Sequence, residues 1–139
     1  GAKEAGFTKP VASQPDVDEN LYTFATHHFF GTRRLIAPPK LDAKWDKASG
    51  HVSIRVTFPD GAEPQSNEVF WSTNRHPDYT IQMEFEAWQS APPRRTGAAT
   101  FEGEASVKAA ASTLDVITVH RHQEAGTTLT ISSPERRLR

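Results

Sequence analysis

The stretch Asn67–Trp88 constrains this chain more than any other. Within it Tyr79, Ile81, Met83, Phe85 and Ala87 alternate without a break against Thr80, Gln82, Glu84 and Glu86. Successive side chains of a β-strand point to opposite faces, so the pattern predicts a strand with one apolar and one wet side. A second strand-like run lies before the polar break Ser72–Asp78. Two of the three tryptophans, Trp71 and Trp88, fall in this hairpin candidate. It reads as the centre of a small antiparallel β-domain.

Gly1–Pro15 is polar and carries Pro10 and Pro15, as an extended arm or linker would. Asp16–Phe30 reads as a helix. Asp16 and Glu19 stand at capping-box spacing, Leu21, Phe24, Ala25, His28 and Phe29 share one helical face, and Gly31 suits the left-handed position past the end. A strand is the rival reading, because Tyr22, Thr23, Phe24, Phe29 and Phe30 all favour extended backbone. In either form these aromatics need a surface to pack against. Pro38-Pro39 then marks a boundary.

Beyond it come strand-like runs separated by turn chemistry. Lys40–Trp45 is short, and Asp46–Gly50 is a polar turn. In His51–Phe58, Val52, Ile54, Val56 and Phe58 alternate with Ser53, Arg55 and Thr57. Pro59-Asp60-Gly61 is a turn, with proline fixing φ and glycine supplying the positive φ. Ser90–Gly97 reads as a loop, and Ala98–Ala110 as two short strands around Gly103. Leu114–His122 and Thr127–Ser132 form a last hairpin over Glu124-Ala125-Gly126. Pro134–Arg139 reads as a frayed basic tail.

About seven strands at roughly 8–12-residue spacing, with no helices interleaved, predict an all-β, immunoglobulin- or fibronectin III-like antiparallel β-sandwich. The expected organisation is an N-terminal arm and helix over 1–37, the sandwich over 38–133 and a tail over 134–139. A length of 139 residues suits one domain. The low apolar share, 36%, and ten prolines suit a turn-rich sheet protein. Lysine and arginine (16) nearly balance aspartate and glutamate (17), which argues against nucleic acid as a partner. Cysteine is absent, which excludes disulfides and thiolate sites. No run approaches the ~18 apolar residues of a membrane-spanning helix, and no signal peptide is visible. Gly1 in place of Met suggests a trimmed or engineered start, which leaves room for an export signal or an upstream domain before it.

From Leu21 onward several motifs occur in a recognisable order. They are a helix ending Phe29-Phe30-Gly31, then Pro39-x-Leu41-x-x-x-Trp45, the strand Val52-x-Ile54-x-Val56, Val69-Phe70-Trp71-Ser72-Thr73-Asn74, and a closing Leu129-Thr130-Ile131. This order resembles the C-terminal part of PhoPQ-activated pathogenicity-related proteins. In that family an exported α/β-hydrolase-like domain runs by its last helix into an immunoglobulin-like domain. The family's Arg-Asp-Phe-Arg stretch is matched here by His76-Pro77-Asp78-Tyr79-Thr80, which keeps only the aspartate and an aromatic. The resemblance implies an accessory domain whose hydrolase site lies outside this chain, and a Gly-x-Ser-x-Gly nucleophile elbow is indeed absent from it.

Three sets of residues are candidates for chemistry. His120 and His122, two apart on a strand, project from one face and could offer two nitrogens to a metal. His27, His28, His51 or His76 could add a third ligand, and Asp115 or Glu124 a carboxylate. The alternative places both histidines on the solvent side, opposite Ile117 and Val119. Trp45, Trp71, Trp88 and Tyr79 could stack on sugar rings. Trp88 falls on the polar side of its strand and is the best candidate for exposure, whereas Trp71 or Trp45 would fill the core. Glu84, Glu86, Glu102, Glu104 and Asp78 could pair as an acid–base couple, but Glu84 and Glu86 have a spacing that any solvated strand shows. Arg94-Arg95 and Arg136-Arg137 are too short for a nucleic-acid footprint.

The leading expectation is a non-catalytic accessory or interaction domain of a secreted or periplasmic bacterial protein, attached to an α/β-hydrolase-like partner. No cofactor is expected. The first alternative is a carbohydrate-binding module using Trp88, Tyr79 and Trp71. The second is a metal-dependent enzyme using His120 and His122.

Overall fold

A computed structural model describes residues 36–74, 88–124 and 126–139. The expected helix at Asp16–Phe30 and the alternating run Tyr79–Ala87 lie outside them. The described chain is all-β. Its strands are β1 (Lys40–Asp46), β2 (His51–Thr57), β3 (Ser66–Thr73), β4 (Gln89–Ala91), β5 (Arg94–Gly97), β6 (Thr100–Ser106), β7 (Leu114–Glu124), β8 (Thr127–Ser132) and β9 (Arg136–Leu138). They build two antiparallel sheets, a β-sandwich. Sheet I has the order β1-β2-β6-β5. Sheet II has the order β4-β3-β7-β8, with β9 also paired to β7.

The core follows from alternation. In sheet I the register stacks Leu41, Val56 and Phe101 in one row, Ala43, Ile54 and Gly103 in the next, and Trp45, Val52 and Ala105 in a third. In sheet II, Val69, Trp71, Leu114, Val116 and Ile131 join the same buried cluster. Burying a large aliphatic side chain stabilises by about 2 kcal/mol, so these rows hold the sheets together. Gly103 has a specific place here. A Cβ on it would lie 3.6 Å from Val69 Cγ2 and Pro93 Cβ, an ordinary packing distance, so β6 meets sheet II and the 92–93 turn at this point.

The turns are built from local chemistry. Asp46 Oδ1 accepts the Ala48 amide at 3.0 Å and its Oδ2 accepts the Ser49 hydroxyl at 2.8 Å. The Ser49 hydroxyl and these amides hold the Asp46 carboxyl below its ordinary pKa. Gly50 follows with φ +76°, and a Cβ there would sit 2.3 Å from the Val107 carbonyl oxygen. Only glycine combines that dihedral with that approach. At the end of β3, Asn74 takes φ +55°. Its Oδ1 accepts the Ser112 amide at 2.8 Å, tying the β6–β7 loop to β3.

Three expectations need correction. Ala98–Ala110 holds one continuous strand through Gly103 rather than two, because a glycine facing the interior costs the ladder nothing in pairing. Ser90–Gly97, expected as a loop, contributes β4 and β5 on either side of Pro92-Pro93. The tail expected to fray carries β9, paired Leu114 to Leu138 and Val116 to Arg136. Pro134 lacks an amide proton, and Ser133 bridges the break: its amide donates to Thr118 O and its hydroxyl accepts from Thr118 N, both at 3.0 Å.

Candidate functional site

Strand β7 brings the sequence candidates together. Thr118, His120 and His122 alternate onto one side, as expected, but that side faces the other sheet. His120 is 0% exposed. Its ring stands edge-on to Phe58 at 4.9 Å between centroids and lies 6.3 Å from Phe101, both contributed from the sheet I side. Solvent exposure of His120 is therefore overturned. Ile117 and Val119 take the opposite face, and that face is itself largely covered.

Both His120 nitrogens are engaged. Asn67, its register partner on β3, donates its Nδ2–H to the Pro64 carbonyl at 3.0 Å. Asn67 Oδ1 is then the acceptor for His120 Nδ1–H at 2.7 Å. Nε2 is left unprotonated and accepts the Thr118 hydroxyl at 2.8 Å. This network assigns the tautomer. Burial, with no carboxylate among these partners, pushes the His120 pKa down to about 4. His120 is a neutral core residue whose lone pair is already used. His122 is half-buried, and its Nδ1 is buried without a hydrogen-bond partner. Among the described residues no three histidine, aspartate or glutamate side chains converge as a metal site requires.

The tryptophans do not form a platform. Trp71 points inward, 8% exposed, and its Nε1–H donates to Gln89 Oε1 at 2.9 Å. Trp45 is half-buried against the core, with the Lys47 ammonium 4.8 Å from its ring centroid. Trp88, the residue expected to be exposed on the polar side of its strand, lies on the outer side of sheet II and is only 1% exposed. It packs with Phe70 and Ile117 in a second cluster, flanked by Val119. A ring so covered cannot stack on a sugar. Tyr79 lies outside the described residues.

The same outer face holds an ion pair the sequence reading missed. Asp115 is 0% exposed, and Arg137 grips it with two bonds, Nε to Oδ1 at 2.7 Å and a terminal nitrogen to Oδ2 at 2.8 Å. Asp115 and Arg137 are register partners of β7 and β9. The signal was an aspartate inside an apolar run, which needs a cation or donors when buried.

The outer face of sheet I contrasts with this. Asp42, Arg55, Glu102 and Arg94 are cross-strand partners in one row from β1 to β5, with signs alternating. Arg55 Nε donates to Glu102 at 2.9 Å, and His51 lies 3.9 Å from Glu104. At one edge Arg95 also pairs with Glu63. A shallow depression of about 840 Å³ runs over this row, lined by Lys44, Ser53, Glu104 and Arg136 beside the ladder. Glu102 is thus bonded to Arg55, and Glu104 lies beside His51.

No family model and no curated protein matches this sequence.

Proposed function

We propose that this chain is a non-catalytic accessory domain: an immunoglobulin-type sandwich of an exported bacterial protein, attached to an α/β-hydrolase-like domain. The observation that carries the reading is where the reactive groups sit. Among the described residues, His120 is neutral with both nitrogens bonded, Asp115 is held by Arg137, and Glu102 by Arg55. These groups hold strands together. The sheet orders β1-β2-β6-β5 and β4-β3-β7-β8 correspond to the A-B-E-D and C′-C-F-G arrangement of immunoglobulin domains. That correspondence supports the type, and the resemblance in Leu21–Ile131 supports the hydrolase association and the export.

The test starts from the genomic reading frame around the codons for this chain. A hydrolase-like segment with a Gly-x-Ser-x-Gly elbow is expected in the same frame. Expressed separately, that segment is expected to bind this chain in sedimentation velocity. Ester hydrolysis by the purified chain alone, stoichiometric zinc lost on His120→Ala, or glycan binding lost on Tyr79→Ala would each overturn the reading.

A further inference from the structure

The outer face of sheet I carries a charge pattern that is its own complement. Read from β1 to β5, Asp42, Arg55, Glu102 and Arg94 stand side by side as minus, plus, minus, plus. Neighbouring strands lie about 4.8 Å apart, so the four charges are stepped evenly over roughly 15 Å. Turned end for end, the row reads plus, minus, plus, minus. The ends of the row are its loose charges. Arg55 is bonded to Glu102 at the centre, but Asp42 reaches only Lys40, at 3.8 Å, and Arg94 has no ion partner among the described residues.

We propose that the outer face of sheet I is a homodimer interface, on which a second copy of this chain packs about a two-fold axis running parallel to the strands between β2 and β6. That axis sets Asp42 over Arg94 of the second copy and Arg55 over its Glu102, and symmetry supplies the converse contacts. Every position in the row then meets the opposite sign, and the two loose ends meet each other. The adjoining rows add no clash: Ser53 comes over Glu104, and Thr57 over Thr100. An axis across the strands would instead lay each strand over its own copy, and β6 would bring glutamate against glutamate. The chosen axis also aligns the strands of the two sheets, the usual way in which sheets pack face to face. A net charge of -1 leaves no long-range repulsion between copies. Four strands of about seven residues cover roughly 450 Å² on each copy, so the pair buries about 900 Å², less than a permanent dimer needs. With exposed charged side chains and a shallow depression over the row, the contact is wet, weak and sensitive to salt.

The pairing does not depend on what adjoins the chain. The test is sedimentation equilibrium of the full chain at about 1 mM protein. In about 20 mM salt the mass is expected to rise from that of one chain toward that of two, and in about 0.5 M salt to fall back. Arg55→Glu sets carboxylate against carboxylate and should weaken the association at least about tenfold. Arg55→Glu with Glu102→Arg restores opposite signs between like copies. The doubly changed chain is therefore expected to pair with itself and not with the unchanged chain. Because the protein has no cysteine, a thiol can be placed at one position only. Ser53→Cys, beside the axis, should be joined to its copy by a short bis-maleimide in low salt, and Gln123→Cys, exposed on sheet II, should not. The proposal fails if the mass stays that of one chain in low salt. It fails if the dimer persists in high salt or survives Arg55→Glu, since either result assigns it to another face. It fails too if the doubly changed chain pairs equally well with the unchanged one.

Discussion

The outer faces of the two sheets come from the same alternation rule and end in opposite environments. On sheet I the outward residues are Asp42, Arg55, Glu102 and Arg94, a row of alternating charge in water. On sheet II they are Phe70, Ile117, Asp115 and Trp88, all buried. Period-two alternation says which residues share a face, and says nothing about what covers that face. The ion pairs show the same difference. Arg55 and Glu102 are exposed and contribute little, whereas Asp115 without Arg137 would be a bare charge in an apolar setting.

The comparison breaks if equivalent changes on the two faces cost the same. The largest effect is expected at Trp88. Trp88→Ala should destabilise by about 4 kcal/mol in urea unfolding, against less than about 0.5 kcal/mol for Lys44→Ala on sheet I. Next comes the buried pair. Arg137→Ala should cost about 3 kcal/mol and leave Asp115 uncompensated, a loss that added salt does not restore. A third experiment asks whether acid attacks the interior rather than either face. His120 takes a proton in the unfolded chain near its ordinary pKa of 6.5 but in the fold only near 4. Between those values the unfolded state holds more protons, so stability falls as pH falls. The contribution is whole above about pH 6.5 and is lost, by about 3 kcal/mol, on reaching pH 4. His120→Gln should remove that part of the slope in unfolding curves measured from pH 7 to pH 4, and Glu102→Gln should leave it. The smallest effect belongs to sheet I. A double-mutant cycle on Arg55 and Glu102 should return about 0.5 kcal/mol, reduced further in 0.5 M salt.

Much of the architecture was legible in the residues. Val52, Ile54 and Val56 against Ser53, Arg55 and Thr57 fixed the orientation of β2, and Thr127–Ser132 emerged with the bounds read from its turn. The short strands β4, β5 and β9 were hidden, because prolines and arginines lower β-propensity and three or four residues give no period to detect. Their pairing comes from neighbours already in place. The site was read less well. His120 carries a polar side chain in a run that alternates, so it looked like a surface residue or a ligand. What makes it a core residue is Asn67, 53 positions away, and no local pattern reports that contact. Trp88 was expected on a wet face and is buried, because alternation within one strand does not report what covers it.

Strand β9 has a consequence in time. Synthesis proceeds from the amino terminus, so Asp115 and Leu114 are joined to the chain, and later leave the ribosome, before Arg137 and Leu138 do. Until those residues emerge, the carboxylate lacks its cation and one side of β7 is open. A nascent chain stalled short of Arg137 should therefore stay sensitive to protease, and the sandwich should close only on its final strand.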